Sequence, residues 1–386
     1  MRRFEKTILI CVSLGWFLVL AGRLSISALL VNIEDSLHIG HAEAGLALTG
    51  MWFLYALMQF PSGLVSDIRG RKGSILLAMM MFSLSYLLIG LSINYIMFFM
   101  TLLLLGAGGG SYPTVGIAMI TDVFREKRGR ALGIQSSAGS LAGIVPIFAS
   151  IVALYFDWHL FFFILAIASL FSTYLFFKYT GESTKLPVNV SIKERFFEGI
   201  MIFKDKEILL IFIVNLALTF AWLGYMSFFP AYLIEGKMFS QMEASIALAV
   251  LTTAGIFLKP LIGEISDIYN KKMVLSILIL LSALATLLLV YAHSIAVVLV
   301  ISFTLAFTSA SFPIISSYLI GRWEEKGRGG KLGFYRTMVI LTGSPTSAII
   351  GISASKYGFD APFLAIALIL FVASVVIFSS FIKEKC

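Results

Sequence analysis

The chain has 386 residues, 59% of them hydrophobic and 13% charged, with a net charge of +8. Soluble domains carry about 25% charged residues, so a water-solvated globule is excluded, and the basic balance reads as sidedness across a membrane and not as nucleic-acid binding. Cys11 and Cys386 supply neither a disulfide framework nor a metal cluster, and no cofactor or metal is expected.

Apolar runs of about 20 residues mark an all-α integral membrane protein, because a β-barrel would show short alternating segments instead. In chain order they predict twelve transmembrane helices. The first six are α1 at 7–31, α2 at 44–65, α3 at 73–92, α4 at 95–120, α5 at 131–154 and α6 at 159–178. The second six are α7 at 208–233, α8 at 244–265, α9 at 273–291, α10 at 295–319, α11 at 332–354 and α12 at 361–382. The N-terminal Met1–Lys6 leads into α1 without a small-residue cleavage signature, so it is read as helix and not as a removed signal peptide. The domains are therefore 1–178, a linker at 179–207, and 208–386. The linker begins with Gly181, Glu182, Ser183 and Pro187. Further on, Ile192, Phe196, Ile200 and Phe203 recur at helical spacing with Lys193, Glu194 and Glu198 between them. That pattern is an amphipathic helix, either lying on the inner leaflet or serving as a tether.

Most of the 29 lysines and arginines fall at the termini and in even-numbered loops; Lys237 and Lys356 fall in odd-numbered ones. The positive-inside rule then puts both termini in the cytoplasm, as an even number of spans requires, in a multi-pass protein of the plasma membrane.

A loop after α2 packs Gly63, Asp67, Arg69, Gly70, Arg71 and Lys72 into ten residues, and 200 positions later Gly263, Asp267, Asn270, Lys271 and Lys272 repeat it. Tyr112-Pro113 and Phe312-Pro313 share the same offset, as do Gly129, Leu132 and Gly133 with Gly329, Leu332 and Gly333. Pro61 and Pro146 fall within one residue of matching Pro260 and Pro345. The chain is thus two copies of one six-helix unit. The first loop closely resembles the loop between helices 2 and 3 of the major facilitator superfamily, with Ile68 standing where a cation is usual. The resemblance covers almost the whole chain. It implies the major facilitator fold, two pseudo-symmetric six-helix bundles with substrate between them near mid-membrane. It also implies a gating role in which Asp67 faces the start of α11 and Arg71 pairs with Asp122 at the end of α4. In the second copy Asn270 replaces glycine and Tyr269 stands among the cations.

Glycines crowd α4 (Gly106, Gly108, Gly109, Gly110) and α5 (Gly133, Gly139, Gly143), the usual composition of close helix packing. No Gly-Lys-Ser/Thr follows them, so a nucleotide loop is excluded. Three cations lie inside helices: Arg23 near the midplane of α1, Lys259 in α8 and Arg336 in α11. A cation there normally faces a cavity, although Lys259 and Arg336 sit close enough to the inner surface to snorkel. Their first-half counterparts, Gln59 and Ser136, are neutral. The acids Glu34, Asp35, Glu235 and Glu264 stand at helix ends, so the cavity should attract an anion.

Arg23 with its flanking residues resembles the organic-anion branch of the superfamily, which holds an arginine in helix 1 for a substrate carboxylate. That branch's acids are replaced here by Gly22 and Gly108. Lys259 and Arg336 resemble the basic pair of the oxalate/formate exchangers. Tyr55, Gln59, Tyr112, Asn215, Trp222, Tyr225 and Tyr335 fill out the candidate cavity, with ordinary packing as the alternative for each. The expected function is transport of a small organic anion by alternating access, by exchange or down a gradient. The transport alternatives are a proton-driven multidrug exporter, a proton-coupled symporter, and a sugar or nucleoside facilitator. An enzyme would need a His/Ser/Asp or metal constellation at one depth, and His38, His41, His159 and His293 are all expected at or near outer loops. A sensor would carry a soluble domain. The chain is read as a monomer in the lipid bilayer with a small-molecule substrate and no nucleic-acid partner.

Overall fold

The computed structural model describes residues 3–124, 128–181, 192–323 and 328–385. Glu182, Ser183 and Pro187 lie outside the described residues, as do Met1, Arg2 and Cys386 and the side chains of Arg69, Ile192, Lys193, Glu194 and Phe196. Among the described residues there are helices and no strands. The first six long helices are α1 (Arg3–Ala28), α2 (His41–Arg69), α3 (Arg71–Gly90), α4 (Tyr95–Val123), α5 (Arg128–Tyr155) and α6 (Trp158–Tyr179). The second six are α7 (Lys206–Gly236), α8 (Gln241–Ile268), α9 (Lys271–Val290), α10 (Ile295–Arg322), α11 (Gly330–Tyr357) and α12 (Asp360–Lys385). Leu30–Leu37 prolongs α1 beyond its expected end, because the amide of Leu29 bonds the Ser25 carbonyl and that of Ile33 bonds Leu29 across the join. Eleven of the twelve are long and apolar enough to cross a membrane. The other, α2, has 29 residues, but Thr49, Tyr55, Gln59, Pro61 and Ser62 interrupt its apolar run. The chain is a multi-pass membrane protein.

The helices form two compact units, Met1–Val190 and Ser191–Cys386. The duplication is visible in local geometry. His38 and Met238, 200 residues apart, are the described non-glycine residues with positive φ, 52° and 59°. Next to them, the amides of Gly40 and Ser240 donate to the carboxylates of Glu43 (2.6 Å) and Glu243 (2.8 Å), capping α2 and α8 alike. Pro146 and Pro345 interrupt α5 and α11 at matching places, each at the start of a fresh helical segment because proline has no amide to continue the ladder.

In the first unit the α4 glycines are a packing surface. A Cβ on Gly106 would stand 2.2 Å from the Met51 carbonyl oxygen and one on Gly110 2.1 Å from that of Tyr55, so the α4 and α2 backbones touch. Two tyrosines clamp α1 over its own glycines. The Tyr112 hydroxyl donates to Val12 O and the Tyr86 hydroxyl to Leu18 O, each at 2.8 Å, with the rings over Gly15 and Gly22.

In the second unit buried hydroxyls tie the helices together: Tyr225 to Thr286 at 2.5 Å, Ser227 to Ser347 at 2.7 Å, and Ser374 Oγ to Ser276 O at 3.0 Å. The short helix Ile192–Met201 belongs to this unit. It seats on α11 where Gly199 leaves room for the Phe334 ring, and Phe203 then lies over Tyr335 at 6.3 Å. Phe197 and Ile200 stay exposed on it.

Candidate functional site

The loop motif of the first unit is built around one arginine. Between α2 and α3, Gly70 takes φ 101° and ψ 150°, a conformation that suits glycine. This turn brings Arg71 back onto α2. Its guanidinium meets Asp67 Oδ1 at 2.5 Å and Asp122 Oδ2 at 3.2 Å, and donates to Ser66 Oγ at 2.6 Å. Lys72 donates to the Thr180 carbonyl at the end of α6 and covers the Phe177 ring.

The second copy departs from this in an ordered way. Here α8 ends at Ile268, one residue earlier than the match to α2, so Asn270 needs no positive φ (−60°). Its side chain instead accepts from the amides of Lys272 (2.9 Å) and Met273 (3.4 Å), capping α9. The position matching Asp122 is Arg322, which pairs with Asp205 at 3.4 Å. Lys271 therefore turns to Ser317 Oγ at 2.7 Å, and Lys272 becomes the buried cation, held by Glu207 at 2.6 Å and Ser380 at 2.8 Å. Asp267 is exposed, and Gly263 has open space beside it.

Inside the first unit, Arg23 sits in an aromatic cage. Its guanidinium carbon lies 4.8 Å from the Tyr55 ring centre, 5.0 Å from Trp52 and 5.9 Å from Trp16. No carboxylate pairs with it among the described residues, and its Nε is buried without a hydrogen-bond partner. The indole N–H of Trp52 and the hydroxyl of Ser27, one turn beyond Arg23, are likewise buried and unpartnered. Gly110 fixes the cage from behind by holding the Tyr55 backbone against α4. Gln59, one turn on from Tyr55, is half-buried. Tyr112 is fully buried and committed to Val12, away from the candidate site.

In the second unit Lys259 folds back over Gly255, beside Ser309. Neither Lys259, half-buried, nor Arg336, exposed, has an ion-pair or hydrogen-bond partner among the described residues. Asn215 donates to the Tyr335 hydroxyl at 3.3 Å, while its Oδ1 is buried and unpartnered. Tyr225 is fully buried, bonded to Thr286, and Trp222 meets Phe312 edge to face at 6.5 Å.

Trp16 and Trp52 were not legible as site residues. A seven-residue spacing does put Trp16 on the Arg23 face of α1, and a three-residue spacing puts Trp52 beside Tyr55 on α2. Nothing in the spacing says that those two faces meet.

The family model described as Major Facilitator Superfamily matches residues 12–272 and 211–385. A hexuronate transporter of Bacillus subtilis is 25% identical over 272 residues, 66% of this chain and 64% of the relative. The multidrug resistance protein MdtG of Yersinia enterocolitica is 25% identical over 329 residues, 82% of this chain and 78% of that protein. A solved bacterial homologue of the human lysosomal transporter Spinster superposes with a TM-score of 0.81 at 16% identity, covering 98% of this chain and 97% of that one.

Proposed function

Because the chain belongs to the Major Facilitator Superfamily, we propose that it is a secondary transporter of a small organic anion, working by alternating access. The carrying observation is Arg23. A guanidinium within the membrane without a counter-charge is costly. Three aromatic faces offset part of that cost, each on the order of 0.5–2 kcal/mol, and leave the hydrogen-bonding fork for an anion. Lys259 and Arg336, likewise unpaired, would add positive charge from the second unit. Gln59 and the ring face of Tyr55 would complete the first-unit contacts, and Asn215 would support those of the second. The similarity to a hexuronate transporter agrees with a carboxylate substrate. Arg71 with Asp67 and Asp122 would be a conformational latch. The skew of cations toward even-numbered loops supports cytoplasmic termini in the plasma membrane.

A second reading has a specific support. The faces of Trp16, Trp52 and Tyr55 also suit an apolar compound, and a relative is named for multidrug resistance. Uptake into proteoliposomes separates the two. Labelled sugar acids and small carboxylates should enter and compete with one another, while cationic dyes should not. Dye movement driven by a pH gradient, without carboxylate uptake, would favour the exporter.

A further inference from the structure

Between α1 and α5 of the first unit runs an open groove of about 510 Å³, within the ~300–1,000 Å³ typical of ligand sites. Ile10 and Phe17 of α1 and Ile134 and Ala138 of α5 give it apolar walls, and Lys6 and Ser13 are its polar lining residues. Lys6 to Phe17 spans roughly 16 Å at 1.5 Å per residue, the shape of a slot and not of a cup.

Its two ends differ. The helices run parallel, since Val12 lies with Gln135 around Gly116, and Trp16 and Leu20 lie against Gly139. Carried back one to two turns, that register sets Lys6 level with Arg128–Arg130. Arg130 precedes Ile134 by one turn on the same face of α5. Lys6 and Arg130 are both exposed and have no ion-pair partner among the described residues. Lys6 thus stands at one end of the apolar slot, and the register sets Arg130 at the same level, one turn before the lining residue Ile134. Deeper in, the Ser13 hydroxyl is buried and has no hydrogen-bond partner, although the side chain is only 7% exposed. A buried donor without an acceptor is destabilising, and an occupant with a carbonyl oxygen would relieve it.

We propose that this slot binds an anionic phospholipid, with its phosphate between Lys6 and Arg130 and an acyl chain along the α1–α5 walls. Basic pockets between transmembrane helices are a recurrent way of holding anionic headgroups. The apolar walls supply what a soluble anion could not use, and Ser13 is placed to donate to an ester carbonyl. This site is independent of Arg23 and of the transport reading.

The test is native mass spectrometry of the purified full-length protein with equal amounts of phosphatidylglycerol and phosphatidylcholine. Wild type should retain phosphatidylglycerol preferentially. Lys6→Gln and Arg130→Gln should each weaken that preference roughly fivefold. Both sites are exposed, so thermal unfolding should stay at the wild-type temperature. Ala138→Phe, which fills the slot, should abolish retention of the bound lipid. Equal retention of the two lipids, or a preference unchanged in both charge variants, would overturn the proposal. Displacement of the lipid by soluble glycerol phosphate would assign the cations to a soluble anion instead and overturn it as well.

Discussion

Arg71 reaches Asp122 across 51 residues of chain, Nε to Oδ2 at 3.2 Å, while the same guanidinium holds Asp67 at 2.5 Å. One arginine therefore joins the end of α2, the start of α3 and the end of α4. Neutralising Arg71 or Asp122 should impair transport, and exchanging the two charges should restore part of it. Restoration is partial for two reasons: a part-exposed pair contributes only ~0–1 kcal/mol, and Arg71→Asp sets a second carboxylate beside Asp67. Transport by the double variant no better than by the worse single variant would rule out direct coupling.

Asp67→Asn should lower transport while leaving membrane insertion intact. Cysteine accessibility measured from each face should shift, since Asp67 is one of the two carboxylates that hold Arg71. Unchanged transport together with unchanged accessibility would remove the conformational role.

Arg23→Lys should lose anion affinity nearly as much as Arg23→Gln, about tenfold or more, because lysine keeps the charge but loses the planar fork. The cage adds a finer expectation. Tyr55→Phe retains the ring face and should bind as wild type, whereas Tyr55→Leu should bind a few-fold more weakly. Binding followed by ligand-induced thermal shift reads both. Wild-type affinity in Arg23→Gln would make this arginine structural.

Gly106→Ala should destabilise the purified protein by roughly 1–3 kcal/mol, because the new methyl meets the Met51 backbone and not a movable side chain. Gly133→Ala, where nothing lies within 4 Å, is the control and should melt as wild type. Equal melting temperatures for the two would contradict the packing described for α4.

The repeat, the loop and the α4 glycine packing were legible because each depends on residues close in sequence or on a fixed offset, whereas Gly133 of α5, read in the same way, has open space beside it. The Arg23 cage was not, because it needs the faces of α1 and α2 to meet, and that is decided by the α4 glycines that draw α2 inward. Tyr112 and Tyr225 illustrate the same gap. Their types suit a cavity, yet both hydroxyls are spent inside the bundle, on Val12 and on Thr286. The helix Ile192–Met201 was visible as a period, but not its seat on Phe334, because a single glycine, Gly199, provides it.

Lys72 bonds Thr180, and 200 residues later Lys272 bonds Ser380, so in each unit the third helix is stapled to the end of the sixth. Each staple is closed by residues of its own unit. Covalent continuity through 182–191 should then be dispensable for either bundle. A gene divided there should yield two polypeptides that each fold in the same membrane, which makes every half an exchangeable part. The Lys72 and Lys272 staples mark which residues must stay on one polypeptide.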